Sequence, residues 1–180
     1  MNKIVLIGSG GSGKSMLARE LSRILTIEVH HLDAIFWKPG WISTPKNEQK
    51  DIQEELVSGT SWIIDGNYGG TIDIRLQAAD TIIFIDLSRW ICLIRVLKRR
   101  FQYRNKKRTD MAEGCEERVR LEFLKWVWEF PEKQKPKILE KLRQLSNEKE
   151  IIILKSPKEV REFKANVELL NERSIFHERK

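Results

Sequence analysis

The chain has 180 residues, of which 41% are hydrophobic, and its formal net charge is +7. This length indicates one domain with enough apolar residues for a core. No apolar run approaches the roughly 20 residues of a membrane-spanning helix, which argues against a membrane protein. The start of the sequence leads directly into an apolar run, so we expect no signal peptide and a cytoplasmic location. Cys92 and Cys115 lack metal-ligand spacing and are expected to be reduced thiols.

Strand-like apolar runs alternate along the chain with segments of helical periodicity. Strands are predicted near residues 3–8, 27–31, 61–65, 81–87 and 150–155. Helices are predicted near residues 14–25, 46–58, 88–104, 116–130, 133–146 and 157–170. Continuous apolar runs are typical of parallel strands covered on both faces, so the pattern predicts a doubly wound α/β sheet. One domain is expected over residues 1–170, followed by a polar tail over 171–180.

The first predicted strand runs into a glycine-rich loop that opens the first predicted helix. Residues 8–15 read Gly-Ser-Gly-Gly-Ser-Gly-Lys-Ser, which fits the phosphate-binding loop template. Lys14 is expected to reach the β- and γ-phosphates of ATP, and the Ser15 hydroxyl to bind Mg²⁺. The residues expected to hold ATP, mainly through backbone N–H groups at the helix N-terminus, are Gly8, Ser9, Gly10, Gly11, Ser12, Gly13, Lys14 and Ser15.

Two acidic residues end predicted strands and are candidates for a second Mg²⁺ ligand. Asp65 precedes Gly66, which allows a sharp turn at the sheet edge where ligands bind in open α/β sheets. Asp86 has a structural alternative, because it precedes a serine that can cap the next helix. We favour Asp65 as the Mg²⁺ ligand and keep Asp86 as the alternative. The loop over residues 65–70 is accordingly predicted to belong to the site, with Asn67 and Tyr68 as substrate contacts.

Four stretches, residues 8–15, 30–41, 62–68 and 123–126, resemble the bacterial proteins known as DNA topology modulation proteins. More broadly, the pattern resembles the adenylate-kinase-like nucleotide kinases. The resemblance implies a three-layer P-loop fold, with a parallel five-stranded sheet in the order 2-3-1-4-5 and a helical lid over about residues 101–115. It also implies catalytic roles for Arg95 and Arg99, one beside the nucleotide and the other at the transferring phosphoryl group. The base of ATP would lie near residues 156–158.

The acceptor side departs from the adenylate-kinase pattern. The arginine that holds the acceptor phosphate in those kinases is replaced by Gly69, and residues 30–33 read His-His-Leu-Asp. The position of this aspartate, just past the second strand, resembles the arrangement in kinases that phosphorylate a hydroxyl group. Asp33 and His31 are therefore candidates to bind or activate a hydroxyl acceptor. Arg75 or Lys38 could substitute for the missing arginine in acceptor binding.

Aromatic residues have competing interpretations. Trp37 and Trp41 could stack on a base, close over an acceptor or fill a core. In the predicted helix 116–130, Leu121, Leu124 and Trp128 recur at helical spacing and are predicted to face the core.

Residues 98–108 contain seven basic residues and no acidic one. This run can be a phosphate-gripping lid, a solvated helix face or a nucleic-acid patch.

The leading hypothesis is a kinase that transfers the ATP γ-phosphate to a nucleotide or a small hydroxyl compound. The alternative is an ATP-dependent regulatory protein that binds DNA through the basic run and alters DNA topology.

Overall fold

The computed structural model describes residues 1–102 and 120–178, with side chains described up to residue 173. The strands are β1 (Lys3–Gly8), β2 (Val29–His31), β3 (Trp37–Lys38), β4 (Ile42–Ser43), β5 (Trp62–Asp65), β6 (Thr81–Ile85) and β7 (Glu150–Leu154). The helices are α1 (Lys14–Leu25), α2 (Leu32–Phe36), α3 (Lys46–Ser58), α4 (Ile72–Ala78), α5 (Arg89–Gln102), α6 (Leu121–Lys133), α7 (Lys135–Leu145) and α8 (Pro157–Glu178).

Five of the strands form one parallel sheet in the order β2-β5-β1-β6-β7. Numbered along the chain without the two-residue strands β3 and β4, this order is 2-3-1-4-5, so the predicted topology is confirmed. β1 lies at the centre, with Leu6 in register with Asp65 of β5 and Gly8 in register with Ile85 of β6. The loops that follow these three strands therefore meet at one edge of the sheet, where ligands bind in this class of fold.

Helices cover both faces of the sheet, because successive residues of a buried strand point to opposite sides. Ile4 and Leu6 pack in a cluster with residues of α1, α5 and α8. Val5 and Ile7 pack in a second cluster with residues of α2, α4 and α7. The result is the predicted three-layer α/β arrangement. No described helix is both long enough and apolar enough to cross a bilayer.

The structure contains short elements that the sequence pattern does not predict. These are α2, α4 and an antiparallel hairpin of β3 and β4. Each has seven residues or fewer, which is too short for its periodicity to be recognised. At the other end of the chain, α8 continues to Glu178, beyond the predicted end at residue 170 and into the segment predicted as a polar tail.

The buried face of α6 differs from the predicted one. Leu121 is 80% exposed and Trp128 is 40% exposed, whereas Val127 and Phe130 are buried. Leu124 is partly buried against the core. Both sets of residues recur at helical spacing, so periodicity alone does not select the face that packs against the sheet.

Two predicted helix starts are confirmed by their side-chain caps. At the start of α8, the Glu159 N–H donates to the Ser156 hydroxyl at 3.2 Å, and the Glu159 carboxylate accepts from the Lys155 N–H at 2.8 Å. At the start of α5, the Trp90 N–H donates to the Ser88 hydroxyl at 3.3 Å. These bonds satisfy N–H groups that have no partner within the helix.

Candidate functional site

The phosphate-binding loop joins the buried end of β1 to α1. Gly13 precedes the helix with a φ of 98°, in the left-handed region, and the Leu17 N–H donates to its carbonyl at 3.0 Å. The N–H groups before Leu17 in the first turn have no partner within the helix and, with the helix dipole, favour an anion. Lys14 opens this turn, where no acidic residue is present. A lysine at a helix N-terminus is locally unfavourable, and a bound phosphate would compensate for it.

Gly11 is also required by a helix that packs against the loop, and Gly10 lies close to a side chain of a second helix. A Cβ atom on Gly11, whose φ is 79°, would lie 2.3 Å from the carbonyl oxygen of Cys92 in α5. A Cβ atom on Gly10 would lie 2.6 Å from Cζ of Phe123 in α6. The motif predicts glycine because backbone must approach phosphate. The structure adds a second reason, the close approach of α5 and α6.

The first residue of the phosphate-binding loop is held by a side chain from the loop after β5. Asn67 Oδ1 accepts a hydrogen bond from the Gly8 N–H at 3.1 Å, and Asn67 Nδ2 donates to the Gly8 carbonyl at 2.7 Å. Asn67 was predicted as a substrate contact, and its carboxamide is bonded to the backbone in this way. The two loops at the sheet edge are therefore joined directly.

Arg75 supports the same loop from within the core. Its side chain is fully buried, and its guanidinium donates to the carbonyls of Gly66 at 2.9 Å and Asn67 at 2.6 Å, and to Gln53 Oε1 at 2.7 Å. Burial lowers the pKa of Arg75 to about 9, an effect that nearby carboxylates oppose. These three bonds are directed at the protein itself, which favours a structural role, and the predicted role of Arg75 in acceptor binding stays a prediction.

Asp65 and His31 form a buried pair at the ends of two neighbouring strands. Asp65 Oδ2 lies 2.8 Å from His31 Nδ1, and the Asp65 side chain is almost completely buried. Asp65 Oδ1 is also buried and has no hydrogen-bond partner within the described residues. A carboxylate oxygen without a protein partner can bind Mg²⁺ directly or through a water molecule of the metal's shell. His31, predicted as a substrate contact, is bonded to the predicted metal ligand, and its role toward substrate stays a prediction.

The alternative ligand Asp86 is bonded elsewhere. Its Oδ2 lies 2.7 Å from Nζ of Lys135 at the start of α7. The backbone N–H of Asp86 also donates to the Leu154 carbonyl at 2.9 Å. Since its negative charge is already compensated by a lysine, Asp86 suits a metal less well than Asp65 does.

A cavity of about 610 Å³, which we call the main cavity, opens beside the phosphate-binding loop. Its lining residues are Gly10, Lys14, Ser15, Asp33, Trp37, Trp41, Asn67, Tyr68, Arg99, Arg120, Glu122, Phe123 and Trp126. A volume of roughly 300–1,000 Å³ is usual for small-molecule sites. The fold brings predicted donor and acceptor residues together here from separate segments. The wall formed by residues 120–126 has no signal in the sequence beyond the resemblance at 123–126.

Asp33 is held at the main cavity by Tyr68. The Tyr68 hydroxyl donates to Asp33 Oδ1 at 2.8 Å. Burial raises the pKa of Tyr68 well above its usual value, and the negative charge of Asp33 raises it further. The tyrosine therefore stays protonated at neutral pH and orients the carboxylate. Tyr68 has a φ of 23°, which is uncommon for a bulky residue. Uncommon backbone conformations of this kind cluster at functional sites.

Both predicted arginines lie on α5, four residues apart, close to the phosphate-binding loop. Arg95 Nη1 donates to the Ser12 carbonyl at 3.1 Å, and Arg99 lines the main cavity. The rest of the basic run, from residue 103 to 108, lies outside the described residues, as does the predicted lid apart from residues 101 and 102. The position of Arg99 agrees with a role at transferred phosphate, which stays a prediction.

Solved structures of similar fold include two small-molecule kinases. A shikimate kinase from Bacteroides thetaiotaomicron matches with a TM-score of 0.51 and 14% sequence identity, covering 94% of this chain and 97% of that kinase. A gluconokinase from Sinorhizobium meliloti 1021 matches with a TM-score of 0.50 and 18% identity, covering 98% of this chain and 97% of that enzyme. The chain has the P-loop kinase fold. At these identities the likeness shows the fold alone.

Comparisons at the level of sequence do not assign this chain to a family. A scan against protein-family models and a search of the curated proteins found no match. The resemblance to DNA topology modulation proteins is therefore not confirmed, and the DNA-binding alternative receives no support. Within the P-loop kinase fold, function has to be argued from the site itself.

Proposed function

We propose that this protein is an ATP-dependent kinase that transfers the γ-phosphate to a hydroxyl group. The observation that carries the proposal is that Lys14 and Ser15 of the phosphate-binding loop line the same cavity as Asp33. A cationic group for the donor phosphate and a carboxylate for the acceptor thus open onto one space. Phosphoryl transfer depends mainly on such positioning and on electrostatic stabilisation.

The donor nucleotide would lie along the loop, between a second cavity and the main cavity. A second cavity of about 220 Å³ adjoins the loop at Ser12 and Gly13, and is bounded by Arg95 and by Pro157 and Val160 of α8. It lies beside residues 156–158, where the resemblance places the base of ATP. We assign the base to this cavity, so that the phosphates follow the first turn of α1 toward Lys14 and the main cavity.

Ser15 and Asp65 would hold Mg²⁺, which when bound neutralises negative charge on the β- and γ-phosphates. Two features support this assignment. Ser15 lines the main cavity next to Lys14, and the buried Oδ1 of Asp65 has no hydrogen-bond partner within the described residues. Mg²⁺ sites commonly use one or two protein ligands and complete their shell with phosphate and water oxygens. His31 keeps the Asp65 carboxylate in one orientation through its Nδ1 atom.

The acceptor hydroxyl would lie beside Asp33. The carboxylate, oriented by the Tyr68 hydroxyl, accepts the proton as the hydroxyl oxygen attacks. Lys14 and Arg99 supply positive charge at the same cavity, where charge develops on the transferring group. Arg95, bonded to the Ser12 carbonyl, positions the loop that carries the donor.

The test measures ATP binding and phosphoryl transfer with a panel of hydroxyl compounds. Lys14→Ala is expected to lower kcat/KM by roughly 100-fold or more, because a preorganised cation at the phosphates is lost. Lys50→Ala is the matched control, since Lys50 lies on α3 and pairs with Glu54 at the surface. If Lys14→Ala leaves both ATP binding and turnover at the level of the control, the proposal is wrong.

A further inference from the structure

Four of the residues that line the main cavity are aromatic side chains from two separate elements. Trp37 and Trp41 come from the β3–β4 hairpin, with ring centroids 5.5 Å apart. Phe123 and Trp126 come from α6, and their rings stack at 5.9 Å with an interplanar angle of 13°. Flat rings offer a large apolar contact area and stack on planar groups. A compound with only hydroxyl groups would lose water against these walls without gaining equivalent hydrogen bonds.

The backbone holds Trp41 at this cavity in an unfavourable conformation. Its φ of 66° lies in the left-handed region, which is strained for a bulky side chain. The next residue, Ile42, is exposed, whereas Trp41 lines the main cavity. The guanidinium of Arg120 lies 5.9 Å from the Trp41 ring centroid. A bulky residue in this region costs about 1–3 kcal/mol, which motivates the hypothesis that the position of this ring matters for the site.

At the position of Asp33, the main cavity favours a hydroxyl group over a phosphate group. Asp33 is a carboxylate that already accepts one hydrogen bond from Tyr68 and retains capacity for another. A phosphate group placed beside Asp33 would be repelled by its negative charge. Arg75, a candidate for acceptor binding in the sequence, is buried and bonded within the protein.

We infer that the acceptor is a nucleoside, meaning a planar heteroaromatic ring joined to a hydroxyl-bearing sugar. This inference rests on the proposed kinase function. The planar ring stacks against the aromatic wall that includes Trp37 and Trp41, and a sugar hydroxyl lies at Asp33. The hydroxyl oxygen forms a bond to the γ-phosphorus, and the bond from that phosphorus to the β,γ-bridging oxygen breaks. Asp33 takes the proton, and the products are a nucleoside monophosphate, ADP and one proton.

The first experiment measures binding by calorimetry in the presence of a non-hydrolysable ATP analogue and Mg²⁺. The probes are the four common ribonucleosides, their 5′-monophosphates and D-ribose. We expect at least one nucleoside to bind with a Kd below about 1 mM, the upper end of ordinary substrate affinities, and D-ribose and the monophosphates to bind more weakly. The inference is overturned if no nucleoside binds, or if D-ribose or a monophosphate binds at least as tightly.

The second experiment tests the aromatic wall with variants of one residue. Trp41→Ala is expected to weaken nucleoside binding roughly 5- to 150-fold, the usual loss for one base–aromatic stack, without changing the affinity for the ATP analogue. Trp41→Phe retains an aromatic ring and is expected to keep most of the nucleoside affinity that Trp41→Ala loses. Trp90→Ala is the matched control, because Trp90 is exposed on α5 and does not line the main cavity. Equal nucleoside affinity in Trp41→Ala and the control contradicts the inference.

Failure of this inference is distinguishable from failure of the kinase proposal. Phosphorylation of a sugar or another hydroxyl compound, without binding of any nucleoside, overturns the acceptor class and leaves the kinase proposal standing. Absence of ATP-analogue binding in the wild-type protein overturns both. Formation of labelled nucleoside monophosphate from γ-labelled ATP, lost in Asp33→Asn, supports both.

Discussion

Replacing Arg75 with methionine separates a structural role from the acceptor-binding role that the sequence predicts. The substitution keeps a long apolar stem in a fully buried position but removes donors to the carbonyls of Gly66 and Asn67 and to Gln53 Oε1. A buried acceptor left without its partner costs about 1–3 kcal/mol. Three such losses sum to about 3–9 kcal/mol. Methionine also avoids the desolvation of a buried charge, which offsets part of that cost.

The expected net effect of Arg75→Met is a decrease of about 2–5 kcal/mol in the free energy of unfolding. Because small domains have only about 5–15 kcal/mol in total, such a loss is large. Urea denaturation followed by circular dichroism at pH 7 measures it. Arg143→Met is the matched control, since the Arg143 side chain is 78% exposed and pairs with Glu140. That control is expected to change stability by no more than about 0.5 kcal/mol.

Two outcomes refute this reasoning. A loss below about 1 kcal/mol in Arg75→Met means that the three bonds do not stabilise the loop as the geometry indicates. A stable variant with a raised KM for the acceptor alone means that Arg75 contacts substrate, as the sequence predicts. Arg75→Lys gives an additional check, because lysine keeps the charge but cannot donate in the planar fork geometry of arginine.

Two further predictions concern the loop and the dependence of stability on pH. Gly11→Ala forces a Cβ to 2.3 Å from the Cys92 carbonyl at a φ of 79°, and is expected to cost about 2–5 kcal/mol in urea denaturation. Gly69→Ala, with no atom within 4 Å of the added Cβ, is the control, and equal losses contradict the packing argument. Burial raises the pKa of Asp80, but hydrogen bonds from a threonine hydroxyl and two backbone N–H groups outweigh it, so the net pKa is lowered. Asp80 therefore stabilises the fold above the unfolded pKa of about 3.9, and this contribution is lost as the pH falls through the folded pKa. Asp80→Asn should flatten the decline of stability between pH 5 and 3, and an unchanged decline refutes the assignment.

The sheet and the donor loop could be predicted because their signals are local. The apolar runs that become β1, β5 and β6 are continuous, and each is covered on both faces in the structure. The phosphate-binding loop is one contiguous motif between a strand and a helix. Its chemistry depends on backbone N–H groups, whose position follows from the glycine pattern and the start of α1.

Residues whose roles depend on long-range contacts could not be placed in the same way. His31 and Arg75 are polar residues near the site in sequence, and polar residues in such places often contact substrate. In the fold they are buried, one against Asp65 and the other against loop carbonyls. On α6, the sequence contains two overlapping apolar faces, and only packing against the sheet selects the one that includes Val127.

The proposed acceptor half of the site has no contiguous motif because its residues come from separate segments. Asp33 follows β2, Trp41 lies in the hairpin, Tyr68 follows β5 and Phe123 belongs to α6. What joins this half to the donor loop is the Asn67 carboxamide, which bonds both the N–H and the carbonyl of the first loop residue. Tyr68, the next residue of the same loop, donates to Asp33 Oδ1 on α2. The residues proposed for the donor and for the acceptor are therefore linked, through Asn67 and Tyr68, by hydrogen bonds between separate segments of the chain.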